Sequence, residues 1–115
     1  MADIRAEARY LPISSQKLRL VTDQVRGLNA EQALVVLQFL PKKGAKFVHK
    51  LLTSALANAE NNFDLRREEM KVATIMVGGG PMLKRFKAGA RGRYKPRLRR
   101  TSHLTIILSD GGENN

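Results

Sequence analysis

Lys84, Arg85, Lys87, Arg91, Arg93, Lys95, Arg97, Arg99 and Arg100 fall within seventeen residues that contain no acid. Side chains of this type at this density neutralise rows of phosphates. The guanidinium does so as a two-pronged fork and the ammonium as a point charge. The chain of 115 residues carries a net charge of +11, and this stretch supplies +9 of it. The other 98 residues hold 12 bases against 10 acids. Crowding like charges gains a compact domain no stability. The stretch therefore requires a polyanion, and the remainder reads as a domain built to hold it. Arg93 beside Tyr94 points further, to RNA, because guanidinium and phenol faces both stack on unpaired bases.

Other candidate chemistry is sparse. Lys42, Lys46 and Lys50 repeat every fourth residue, either as a solvated helix face or as a second row of phosphate contacts. Lys17 and Arg19 on an earlier helix join them as second-tier RNA candidates. His49 and His103 are the only histidines, and neither has a carboxylate or second imidazole at ligand spacing. Both are placed to touch RNA, His103 at the start of a strand. Gly78-Gly79-Gly80 lacks the Gly-Lys-Ser/Thr of a phosphate loop and reads as a bend. Gly89-Ala90-Arg91-Gly92 matches the GxxG of KH domains, but its flanks are not helical. Glu68-Glu69 follows Arg66-Arg67 in a polar turn. No nucleophile, base and orienter come together, so the expectation is a non-enzyme without metal or cofactor. With no Cys, disulfides and thiolate zinc sites are excluded and a reducing, cytoplasmic setting is expected. No apolar run approaches the roughly 20 residues of a membrane span.

The elements that must carry the basic stretch are legible in turn. Asp3–Tyr10 alternates, with Ile4, Ala6, Ala8 and Tyr10 on one side, as a half-buried strand does. Pro12 ends it, and Ser14 or Ser15 caps a helix with Leu18, Val21 and Val25 inward and Gly27 as its stop. Asn29 caps a second helix, with Gln32 as capping-box partner and Ala33, Leu34, Leu37 and Leu40 as its stripe, closed by Pro41. A third runs from about Lys43 to Asn61, burying Val48, Leu51, Leu52, Ala55, Leu56 and Ala59. Lys71–Val77 and Leu104–Leu108 are β-rich, and residues 111–115 read as a frayed tail. Helices set against an antiparallel sheet give an α+β class.

About 22 residues separate Pro81 from His103, too many for a structureless loop in a compact domain. A protruding hairpin over 81–103 resolves this. Roughly ten residues per arm reach on the order of 30 Å, and Gly89, Gly92 and Pro96 supply the turn. The body is then about 1–80 with 104–110, one domain in all.

Several runs resemble one family. They are Gly80-Pro81-Met82-Leu83-Lys84-Arg85, Ala90-Arg91-Gly92-Arg93 and Arg100-Thr101-Ser102-His103-Leu104-Thr105-Ile106. Upstream, Ser14–Val21, Arg26-Gly27, Gln32-Ala33-Leu34 and Leu52–Asn61 join them. Together they are similar to the bacterial-type large-subunit ribosomal protein L22 family, over about residues 4 to 110. The resemblance implies a three-stranded antiparallel sheet with three helices and a long basic β-hairpin. It implies 23S-type rRNA and neighbouring large-subunit proteins as partners. It further implies a hairpin whose Lys84, Arg85, Lys87, Ala90, Arg91 and Arg93 line the peptide exit tunnel beside the nascent polypeptide. Where family members commonly carry Pro and a basic residue, this chain has Ala88-Gly89, with Lys87 nearest to replace the charge. A cytoplasmic place in the large subunit follows, with no membrane and no obligate homo-oligomer. The competing reading, an architectural DNA-binding protein with paired basic ribbons, lacks a clear apolar wedge apart from Pro96 and an evident dimer surface. A cationic membrane-active protein would need an amphipathic apolar face that the stretch does not have.

Overall fold

The alternation at the start of the chain forms strand β1 (Asp3–Leu11), with Ile4, Ala6 and Ala8 toward the core and Arg5, Glu7 and Arg9 outside. The structure, a computed structural model, describes residues 3–80, 83–88 and 94–110, and describes 83–88 and 94–99 by their strand pairing. Tyr10 departs from the expected inward row. The register shifts between Ala8 and Leu11, so that Leu11 takes the place opposite Ser102 and Tyr10 is left exposed. A bulge adds a residue to one strand and turns the next side chain out of its row.

Helix α1 (Ser15–Val25) is capped by Ser14, whose hydroxyl accepts from the Lys17 N–H at 3.4 Å, and it buries Leu18, Val21 and Val25. Gly27, at φ +83°, makes the turn that follows. Helix α2 (Ala30–Phe39) starts at Asn29, which accepts from the Glu31 N–H at 3.0 Å. The expected reciprocal bond from Gln32 is absent among the described residues. Asn29 is held instead from the other side, its amide donating to the Glu68 carbonyl at 2.9 Å. Helix α3 (Lys43–Phe63) runs a little past its expected end and is closed by Asp64 in the left-handed conformation. Its whole predicted stripe is buried.

Strands β2 (Lys71–Gly79) and β5 (Ser102–Ser109) complete a three-stranded antiparallel sheet in the order β1-β5-β2. Ile4, Leu104, Ile106, Leu108, Val72 and Ile75 meet Leu18, Val21, Val48, Leu52 and Leu56 in one core between sheet and helices. Each such side chain, fully buried, contributes about 1.5–3 kcal/mol of transfer free energy. The bend expected at Gly78 falls later. Gly78 and Gly79 stay in β2, opposite His103 and Ser102. At Gly80 the N–H donates to the Thr101 carbonyl at 2.9 Å, and any Cβ would collide with Thr101 Oγ1.

Beyond this point β3 (Leu83–Ala88) pairs antiparallel with β4 (Tyr94–Arg99), from Leu83 opposite Arg99 to Ala88 opposite Tyr94. The described part of the ladder has six residues in each arm, or about 20 Å. Pro96 lies within it, opposite Phe86, and so does not serve the turn. A two-stranded ribbon has only edge strands, which tolerate a residue without an N–H. Gly89, Gly92 and the tail 111–115 lie outside the described residues. The ribbon strands pack on each other and on no other described element to any extent. The molecule measures 63 × 25 × 24 Å with a radius of gyration of 17.2 Å, against about 13 Å for a globule of this length.

Candidate nucleic-acid interface

The N-termini of α1 and α3 meet at one end of the body. Between them opens a cleft of about 640 Å³ lined by Pro12, Ile13, Ser14, Lys17, Leu20, Lys42, Lys43, Gly44 and Arg100. Three predicted RNA contacts from three separate parts of the chain, Lys17, Lys42 and Arg100, are brought together here. Lys43, not among the predicted contacts, lines the same cleft, and its ammonium donates to the Pro12 carbonyl at 3.1 Å. Gly44 lets the start of α3 approach α1, since a Cβ there would stand 3.1 Å from a Val21 methyl. A second cleft, about 560 Å³, adjoins the first through Lys42 and Lys43 and adds Lys46 and His49. Lys50 is exposed one turn further along α3 and lines neither.

These cations are placed against the stability of the body. Neither α1 nor α3 has an acid in its first turn, and Lys42, at the N-cap of α3, makes no side-chain capping bond. A cation at a helix N-terminus opposes the macrodipole, by about 0.3–1 kcal/mol. The acids stand elsewhere, with none between Glu31 and Glu60. The ion pairs follow them, as Asp23–Arg26, Glu60–Arg67 and Glu69–Arg66 near the opposite helix ends. Among the described residues, Lys17, Lys42, Lys43, Lys46, Lys50 and Arg100 have no carboxylate partner.

Arg19 is two residues from Lys17, hence about 200° round α1. Its guanidinium donates to the Val77 carbonyl at 3.3 Å, while Arg26 reaches the Ile75 carbonyl at 2.9 Å. Both cap the free edge of β2, a use of charge that covers an edge strand. Lys17 and Arg19 therefore serve different surfaces.

At the root of the ribbon His103 is half-buried, and its Nδ1 accepts from the Tyr10 N–H at 3.1 Å. On the same outer face of the sheet, Glu7 lies between Arg9 (3.5 Å) and Arg5 (3.4 Å). The Arg9 charge foremost, aided by Arg5 and Thr105 against a smaller desolvation, lowers its carboxyl pKa. In the ribbon, the register sets Arg85 opposite Arg97 and Lys87 opposite Lys95. Like charges directly opposed weaken an antiparallel pair. Lys84, Arg99 and Tyr94 occupy ribbon positions too, whereas Ala90, Arg91 and Arg93 lie outside the described residues.

A family model for ribosomal protein L22p/L17e matches residues 6–109. The chain belongs to that family. Its members are structural components of the large ribosomal subunit, not enzymes, and this chain is accordingly a constituent of the large subunit that works among rRNA and other subunit proteins. The match runs through β1, the helices, the ribbon and β5, so the cleft and the basic stretch both lie within the family's extent. Among the described residues no cluster of His, Cys, Asp or Glu is arranged to hold a metal ion, and no helix is long and apolar enough to cross a membrane.

Proposed function

We propose that the chain binds 23S-type rRNA through two surfaces, the basic end of the body and the ribbon, and ties separate rRNA segments together during subunit assembly. One observation carries this reading: cations gather where the fold is weakened by them. Lys17, Lys42, Lys43 and Arg100 crowd two helix N-termini without carboxylates, and the ribbon register opposes Arg85 to Arg97 and Lys87 to Lys95. Phosphates relieve both strains at once. The body, 1–80 with 104–110, docks as a preformed unit. The arm, 81–103, is completed by the rRNA that closes around it.

Within the subunit, the arm lines the peptide exit tunnel, with Lys84, Arg85, Lys87, Ala90, Arg91 and Arg93 nearest the nascent polypeptide. Family membership and the length of the ribbon beyond the body support this placement, and a cytoplasmic ribosome is its setting. The test is the salt dependence of binding to a 23S rRNA fragment. Each phosphate neutralised contributes roughly −0.7 to −0.9 to the slope of log affinity against log salt. Replacing Arg91, Arg93 and Arg97 together by Gln flattens that slope by about two to three units. An unchanged slope would mean that these residues do not face phosphates.

A further inference from the structure

We propose that Tyr10 and His103 form a binding corner for one unpaired RNA nucleobase at the root of the ribbon. The inference rests on the RNA-binding reading above and adds a ligand group, the base, that charge alone does not recognise.

Tyr10 is held where a tyrosine does not ordinarily sit. Its φ is +58°, in the left-handed region that bulky L residues seldom adopt, and its side chain is 58% exposed. Strain kept at an exposed aromatic points to use of that side chain, since a fold alone would put Gly or Asn there. The bulge sets both Arg9 and Tyr10 opposite His103, between the pairs Ala8–Leu104 and Leu11–Ser102. It thereby stands the phenol against the imidazole, edge to face, with ring centroids 4.9 Å apart and planes at 88°.

His103 holds this arrangement. By accepting the Tyr10 N–H at Nδ1, a neutral imidazole carries its own proton on Nε2, where it makes no hydrogen bond among the described residues. That leaves one directed donor at the corner. On the far side of His103 its cross-strand partner is Gly78. A Cβ built on Gly78 meets nothing within 4 Å, so the sheet beside the two rings is open at that position, while Gly80, where a Cβ would stand 3.2 Å from His103 Cε1, closes the other side of the imidazole. Two perpendicular rings, a free N–H and bare backbone make a site for a flat heteroaromatic group. It stacks on one ring, meets the other edge-on and accepts from Nε2. Tyr10 is two residues from Pro12, which lines the cleft together with Ile13 and Arg100, so RNA held in the cleft passes close to the corner. A paired base in a helix has no free face to offer, so the ligand is a single-stranded or bulged nucleotide.

The experiment measures binding of the full chain to r(A)12 and to a 12-base-pair RNA duplex. The variants are Tyr10→Phe, Tyr10→Gly and His103→Ala. Stacking on one aromatic is worth roughly ten- to hundredfold in affinity for single strands. Tyr10→Gly loses this factor for r(A)12 with an unchanged salt slope and unchanged duplex binding. It also raises the melting temperature, because glycine accepts φ +58° without strain. Tyr10→Phe binds as the parent does, and His103→Ala weakens r(A)12 in the same sense as Tyr10→Gly. With no Trp and only one other tyrosine, Tyr94, the Tyr94→Phe background shows quenching of Tyr10 emission on r(A)12 binding. If Tyr10→Gly binds r(A)12 as tightly as the parent, or Tyr10 emission is unquenched, the corner is overturned while RNA binding stands. If the parent binds neither RNA with a salt-dependent affinity, the RNA-binding reading itself has failed.

Discussion

Replacing Lys42 by Ser should make the free protein more stable and its grip on rRNA weaker. Lys42 occupies the N-cap of α3 in extended backbone, φ −134° and ψ 143°, and contributes no capping bond. A serine hydroxyl there reaches the N–H of Gly44 or Ala45, worth about 0.5–2 kcal/mol. Removing a cation from the positive end of a 21-residue helix adds roughly 0.3–1 kcal/mol. The two effects together come to about 1–3 kcal/mol, a rise of roughly 4–12 °C in melting temperature for a domain of this size. Thermal unfolding followed by circular dichroism at low ionic strength reads it directly. The same variant loses one phosphate contact, so the salt slope for a 23S rRNA fragment falls by about 0.7–0.9. A Lys42→Ser protein that gains no stability, or binds rRNA with an unaltered slope, would show that this lysine is not kept against the fold for the sake of a phosphate.

Three further outcomes follow from other parts of the structure. Gly80→Ala drives a Cβ into Thr101 Oγ1 and destabilises by about 1–3 kcal/mol, read as a lowered urea midpoint. Adding Thr101→Ala should recover part of the loss, and no recovery would mean that the crowding lies elsewhere. Glu7, with its folded pKa below the unfolded one, contributes stability that is present above the unfolded value and lost as pH falls through the folded one. Glu7→Gln therefore lowers the urea midpoint at neutral pH and matches the parent in acid. A deficit that widens on acidification would contradict the sign. Deleting Arg85–Lys95 and closing the ribbon with Asn-Gly leaves a body that still enters large subunits, measured by co-sedimentation, while crosslinks from nascent chains to the arm disappear. Loss of incorporation would show that the arm drives docking.

Most of the body could be read from local rules. The stripes of α1 and α3 are buried as their spacing predicts, and the caps at Ser14 and Asn29 stand where short polar side chains precede apolar runs. The central place of β5 shows in its burial, which is deeper along its length than that of β2, although the apolar run of β2 is as long. The bulge at Tyr10 was not legible, because a period of two carries no mark of an inserted residue until the partner strand is known. Pro96 looked like a turn residue, and only its pairing with Phe86 shows that an edge strand had admitted it. The basic stretch was plain as a run of charge. The cleft was not, because Lys17, Lys42, Lys43 and Arg100 are remote in sequence and meet only when the starts of α1 and α3 pack side by side.

In the proposed function, place and not charge alone makes the end of the body an rRNA-binding surface. Two variants of equal charge test it. One carries Lys17→Gln, Lys42→Gln and Arg100→Gln in the cleft. The other carries Arg5→Gln, Arg66→Gln and Lys71→Gln, all exposed and all outside it. The measurement is the slope of log affinity against log salt for a 23S rRNA fragment. The cleft variant should lose about two to three units of slope, and the other variant should keep the parent's value. Equal losses in the two would contradict it, since the RNA would then be reading net charge without regard to where the fold puts it.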